Sequence, residues 1–175
     1  MLNIAIILGS TRPGRLGRTD AIFELVDIKD FDLPLLDEPV PPSPGQYTQE
    51  HTKRWAKKIA KFDGFVFVTP EYKHGIPAAL KNAIDYLFAE WNHKVAGFVG
   101  YGAAGGARAI EQLRLVMGEL HVADVRSQVL LSLFTDFENF TMFTPAAFRE
   151  VDLERVLSEV VAWGSALRPL RAASV

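Results

Sequence analysis

Residues 64–87, GFVFVTPEYKHGIPAALKNAIDYL, constrain the fold more than any other stretch of this chain. Phe65-Val66-Phe67-Val68 is apolar without alternation and rich in β-branched and aromatic side chains. Such a strand has both faces covered, the situation of a parallel sheet. Pro70 stops it, Gly75 and Pro77 punctuate the loop, and Leu80, Ala83, Ile84 and Leu87 then repeat at helical spacing. Open α/β sheets place their ligands where a strand's carboxyl end opens into a loop of this kind.

The same alternation runs along the chain. Short apolar runs predict strands at residues 4–8, 22–28, 65–69, 95–101 and 125–131. Helical spacing predicts helices over 48–61, capped by Thr48, from Pro77 or Ala78 to near Trp91, over 106–120, and over 151–167. Strands alternating with helices imply a doubly wound parallel sheet in one domain spanning 1–175. Five strands without an internal repeat favour the order 2-1-3-4-5 over a six-stranded dinucleotide fold. Residues 32–47 hold five prolines and no period, so they form a long surface connection, either a stiff crossover or a functional loop.

One connection is too short. Only the twelve residues GSTRPGRLGRTD separate the first two strands. A crossover including its helix needs at least about 10–12 residues, and Pro13, Gly14 and Gly17 would spoil most of that helix. The expectation is an abbreviated or missing first helix, or else a chain lacking residues between Leu16 and Ala21. In the second case two neighbours there would stand well beyond the trans-peptide Cα spacing of about 3.8 Å.

With 19 basic and 21 acidic side chains, the net charge of −2 gives no basic patch for nucleic acid and no strongly acidic docking face. The chain has no cysteine, which excludes disulfides, thiol nucleophiles, iron–sulfur clusters and thiolate zinc sites. His51, His74, His93 and His121 lie on separate elements without metal-ligand spacing, so no metal site is expected. The amino-terminal MLNIAIILGS lacks a basic leader and is too short to cross a bilayer, so a cytoplasmic protein without membrane contact is expected.

Three loops carry the candidate chemistry. Gly9-Ser10-Thr11-Arg12 follows the first strand; converging amides, two hydroxyls and a guanidinium suit a phosphate dianion, and a plain polar turn fits equally. Neither a Walker lysine nor GxGxxG occurs there. Pro70-Glu71-Tyr72-Lys73-His74-Gly75 offers a rigid backbone to a planar heterocycle, with Tyr72 as a stacking face; solvated Glu71 and His74 side chains are the plain alternative. Tyr101-Gly102-Ala103-Ala104-Gly105-Gly106 is small enough for a ring to approach the backbone closely. All three would end on one edge of the sheet and meet around one crevice.

GSTR, PEY and LKNAID, in this order at strand ends, together with LPLLDEP and GFVGYGAAGGARA, resemble the NADPH-dependent FMN reductase family over most of the chain. The resemblance implies a flavodoxin-like fold with bound FMN and with NADPH or NADH as electron donor. Ser10 and Arg12 would hold the phosphate, and Pro70, Glu71 and Tyr72 would edge the isoalloxazine ring. Tyr101, Gly102, Gly105 and Gly106 would flank its pyrimidine side. No side chain is required as a catalytic acid or base, because the flavin carries the hydride chemistry. The acceptor would be a small molecule: a flavin, quinone, azo compound or metal ion. Lys73 stands where the family usually has Asn, and Gly75 where it often has Ser. An electron carrier, or a flavin-binding module without reductase activity, is the alternative.

Phe134, Phe137, Phe140 and Phe143 form a dense aromatic cluster after the fifth strand. They either fold back onto the core or anchor a subunit interface. The family resemblance implies a homodimer or homotetramer.

Overall fold

The computed structural model describes residues 1–8 and 21–172. Strands β1 (Leu2–Leu8), β2 (Ala21–Asp27), β3 (Gly64–Pro70), β4 (Val95–Gly102) and β5 (Ala123–Ser132) form one parallel sheet in the order β2-β1-β3-β4-β5. This is the expected flavodoxin-like order. The expectations for residues 9–20, including the abbreviated helix and the phosphate loop with Ser10 and Arg12, lie outside the described residues.

Side-chain alternation along the strands splits the core into two layers. Ala5, Ile7, Phe65, Phe67, Ala96 and Phe98 face one way, against helices α1 (Glu50–Ile59), α2 (Ala78–Asp85) and α3 (Ala107–Glu119). Ile4, Val66, Val95, Val99, Val125 and Val129 face the other way, against Val156, Leu157 and Val160 of α4 (Phe148–Ala172). Both faces of β3 are therefore apolar, as its unbroken hydrophobic run requires. Aromatic side chains set the first layer. Phe65 meets Trp91 edge-on at 4.8 Å, and the rings of Phe67 and Phe98 stack at 6.1 Å. Both indoles are fully buried and satisfied: Trp55 Nε1 donates to Ala83 O at 2.7 Å, and Trp91 Nε1 donates to Ile84 O at 3.2 Å.

Helix α4 is longer at both ends than the expected 151–167, and two further boundaries differ for reasons the contacts show. Helix α2 stops at Asp85 rather than near Trp91, because the Ile84 carbonyl serves both the Leu87 amide and the Trp91 indole. The chain turns inward there to bury Trp91. Helix α1 starts at Glu50, and Thr48 does not cap it through its own hydroxyl. The Glu38 carboxylate instead accepts from Thr48 N, Thr48 Oγ1 and Gln49 N at 2.8–3.0 Å. Partial burial works against that carboxylate's charge, but these donors hold it down to about 2.

Glu38 belongs to the proline-rich connection, which is strapped to the helices. Asn82 of α2 clamps the strap from both sides of its amide: Oδ1 accepts from Leu36 N at 3.0 Å, and Nδ2 donates to Pro34 O at 2.6 Å. One turn on, Tyr86 Oη donates to Asp37 at 2.9 Å, and the same carboxylate meets His51 Nε2 at 2.9 Å. After β5 the chain makes a small antiparallel hairpin, β6 (Phe137–Glu138) and β7 (Met142–Phe143), before α4. Among the described residues no helix is long and apolar enough to cross a membrane.

At the amino-terminal edge of the sheet Lys94 is 4% exposed. Its Nζ donates to Ile59 O at 2.9 Å, closing the carboxyl end of α1, and lies 5.4 Å from the centre of the Phe65 ring. Burial, aided by the nearby Arg171 charge, drives the Lys94 ammonium down to about 8. The unfolded chain, with an ordinary value of 10.5, therefore holds one more proton between these pH values, so stability rises with pH across that window. The gain over the window is at most about 3 kcal/mol. Urea unfolding between pH 7 and pH 11 should show wild type gaining on Lys94→Met by this order; a constant difference would show that Lys94 titrates normally.

Candidate functional site

Strands β1, β3 and β4 run parallel, so their carboxyl ends share one edge of the sheet. The loops after β3 and β4 meet there. Pro70 and Tyr101 are register partners, and the Glu71 amide extends the ladder by donating to Tyr101 O at 3.2 Å. Only 8% of the Glu71 side chain is exposed. Its carboxylate accepts from the Arg108 amide at 3.0 Å and pairs with the Arg108 guanidinium. Arg108 is in the first turn of α3, where an acceptor satisfies one of the helix's free N–H groups and complements its dipole. Burial acts to raise the Glu71 carboxyl, but the Arg108 bonds prevail and hold it below the usual carboxylate range.

Glu71 is thus neither a solvated carboxylate nor a side chain reaching freely along the rim. It ties the PEY loop to the glycine turn. Arg108 escaped sequence reasoning because the partners are 37 positions apart. The one available signal was an arginine two positions after a pair of glycines, at the start of a helix.

The rest of the first loop is a tight two-residue turn. Tyr72 and Gly75 exchange backbone hydrogen bonds at 3.1 and 3.0 Å around Lys73 and His74. Lys73 and His74 have φ of +51° and +65°, the left-handed pair of a type I′ turn. The His74 carbonyl is held by Gln112 Nε2 of α3 at 2.7 Å, a second tie between the loops. Tyr72 is 62% exposed above the turn, available as a stacking face.

The glycine turn is compressed onto β4. A Cβ on Gly106 would stand 2.6 Å from Tyr101 N and 2.8 Å from Gly100 Cα, and φ is +75°. No other residue fits there. Gly105 N donates to Gly102 O at 3.0 Å, and Gly102 O also accepts from Leu133 N at 3.1 Å. Among the described residues the amides of Ala103 and Ala104, and those of Lys73 and His74, have no hydrogen-bond partner. Two turns at one rim therefore carry N–H donors that no described residue takes up. This donor set matches the carbonyl oxygens and ring nitrogen of a flavin's pyrimidine edge, so the residues present fit FMN. Of the residues expected at the ring, the structure brings together Pro70, Glu71, Tyr72, Tyr101, Gly102, Gly105 and Gly106.

Glu71→Ala would leave the Arg108 amide and guanidinium without their acceptor. We expect a loss of about 1–2 kcal/mol in urea unfolding, held down by the half exposure of Arg108. The advantage of wild type over Glu71→Gln should be complete above pH 4.5 and should fade as acid protonates the carboxyl. An advantage that does not change with pH would mean the carboxylate charge contributes nothing.

Comparison with known proteins gives the family and the fold. The family model for NADPH-dependent FMN reductase matches residues 2–136. An NAD(P)H-dependent FMN reductase of Schizosaccharomyces pombe is 44% identical over 148 residues, 76% of this chain and 74% of its own length. A quinone reductase of Pseudomonas putida is 32% identical over 128 residues, 64% of this chain and 67% of its own. Among solved structures, the flavoenzyme NAD(P)H:acceptor oxidoreductase FerB of Paracoccus denitrificans superposes with a TM-score of 0.71 at 21% identity, covering 95% of this chain and 98% of that one. The chain belongs to the NADPH-dependent FMN reductase family.

Proposed function

We propose that this NAD(P)H-dependent flavin reductase binds FMN across the joined loops after β3 and β4 and delivers electrons from NAD(P)H to a small planar acceptor of the quinone type. The observation that carries the reading is the Glu71 junction, which fixes two sets of free amides at one rim. When bound, FMN supplies the hydride chemistry. The chain's own part is placement and electrostatics. The amides of Ala103 and Ala104 would donate to the ring's pyrimidine oxygens and favour negative charge there without reorganising. Tyr72 would cover part of one ring face, and Ser10 and Arg12 would hold the phosphate. Glu71, neutralised by Arg108, spares the rim an uncompensated carboxylate. No side-chain acid or base is needed.

Purified protein should be yellow and should be bleached by NADPH under anaerobic conditions within minutes, recovering its colour when a quinone is added. A bound flavin that stays oxidised with both NADPH and NADH would reduce the chain to a binding module.

The lack of cysteine supports a cytoplasmic setting. The family resemblance favours a homodimer or homotetramer, and the exposed Leu35 of the strap and Leu115 of α3, at 82% and 79%, are the positions chosen to test it. Light scattering should give a mass of two or four chains, and Leu115→Glu with Leu35→Glu should lower it. An unchanged mass would place the interface elsewhere.

A further inference from the structure

The hairpin after β5 does not fold back onto the core. Phe134 and Phe140 are 68% and 62% exposed, Met142, Phe143 and Phe148 are exposed beside them, and only Phe137 is half-buried. Exposed apolar side chains grouped in this way mark a binding surface. The group is held on a rigid base. Asp136 is fully buried, and its carboxylate accepts from Ser132 N, Thr135 Oγ1 and the Arg149 guanidinium at 2.9–3.1 Å. These bonds outweigh the burial that would raise it and keep the carboxyl ionised.

The tip breaks a local rule. Asn139 and Phe140 both adopt left-handed backbone, with φ of +49° and +59°. Asn tolerates this and a phenylalanine does not, so the turn holds its ring outward at a cost in strain. Phe140 meets Phe134 edge-to-face, with centroids 5.7 Å apart at 87°. The pair therefore presents a ring face and a ring edge together to whatever lies beside it.

Its position gives this geometry meaning. Strand β5 pairs with β4 through Gly102 and Ser132, one strand spacing from the glycine turn. Leu133 N donates to Gly102 O, and Ser132 Oγ donates to Ala103 O at 3.4 Å. The aromatic pair thus grows directly out of the rim that carries the free amides. Residues 133–147 contain no lysine or arginine but do contain Asp136 and Glu138. That charge disfavours an anionic membrane surface or nucleic acid as occupant. A neutral, planar, apolar molecule suits it.

We propose that Phe134 and Phe140 form the acceptor-side wall of the site, selecting planar aromatic acceptors such as naphthoquinones over small inorganic oxidants. The proposal rests on the flavin-reductase reading above. The net reaction balances without further reagents: quinone, NAD(P)H and one proton give hydroquinone and NAD(P)⁺.

The test compares wild type with Phe134→Ser and Phe140→Asn in the FMN-loaded enzyme. The readouts are steady-state rates with 2-methyl-1,4-naphthoquinone and with ferricyanide, equilibrium dialysis of the naphthoquinone against the oxidised protein, melting temperature, and particle mass. Each substitution should lower kcat/KM for the naphthoquinone by about tenfold and weaken its binding in dialysis to match. Ferricyanide rates and flavin bleaching by NADPH should not move. Phe140→Asn should melt no lower than wild type, because asparagine relieves the strained turn.

Equal losses on both oxidants, or no loss on either, overturn the proposal. A fall in particle mass also overturns it, by assigning the aromatic pair to a second copy of the chain. Wild type that takes up no FMN, or is not bleached by NADPH, defeats the flavin-reductase reading itself. A fully active enzyme whose preference does not shift defeats the wall alone.

Discussion

The bond between Glu71 and the start of α3 decides whether this chain has a site at all. Parallel strands deliver their loops to one edge, but delivery does not fix the loops relative to each other. Here the Glu71 amide continues the β3–β4 ladder to Tyr101, while its carboxylate reaches the first turn of the helix that follows β4. One residue therefore locks strand, loop and helix together. Its charge is tolerable only because α3 offers a free amide and a guanidinium at the same point. Gln112, one turn further along α3, repeats the tie by holding the His74 carbonyl. The rim inherits its rigidity from a helix packed through Ile110, Leu113 and Met117 into the core.

That core explains why the strap can be long without being loose. Asn82 stands on the strap side of α2, whose inner side buries Leu80, Ala83 and Ile84, and Tyr86, fully buried at the helix's C-cap, reaches the same strap with its hydroxyl. The helix is fixed by packing, so its polar side chains can clamp an irregular segment whose prolines make no ladder bonds. The LKNAID motif thus divides its work: the apolar positions seat the helix, and the asparagine fastens the strap over it. Glu38 returns the favour by satisfying the chain at the start of α1.

How much of this was legible in the sequence follows from the range of each interaction. Strand order was legible, because unbroken apolar runs and helical spacing are local signals. The glycine turn was legible too, since a run of small residues after a strand has few other uses. Helix α2 read too long because Leu87 continues its apolar spacing, and nothing local reveals that Trp91 takes the Ile84 carbonyl. The start of α1 misled for the same reason: Thr48 looks like a cap, yet its hydroxyl is taken by Glu38, ten positions earlier. Arg108 and Gln112 were invisible for want of any pattern linking them to residues 71 and 74. The aromatic cluster was visible as composition, but only the fold shows that Phe134, Phe140 and Phe143 stay exposed rather than folding back onto the core.

Two turns beside the rim depart from what their backbone prefers, and both depart in one direction. Lys73 and His74 occupy left-handed positions where Asn-Gly is favoured, and Phe140 occupies another. Each costs on the order of 1 kcal/mol that a glycine or asparagine would avoid. Elsewhere the left-handed positions go to glycine, as at Gly106 and Gly45, or to Asp32, His93 and His121, side-chain types that tolerate this backbone better. Selection for folding alone would correct a surface turn first, because nothing packs against it to resist the change. Strain kept in exposed turns, with the offending side chains directed into solvent beside a ligand rim, is better explained by what those side chains meet. That would make Lys73 and Phe140, the two side-chain types least suited to left-handed backbone, the positions to carry any specificity of this chain's own.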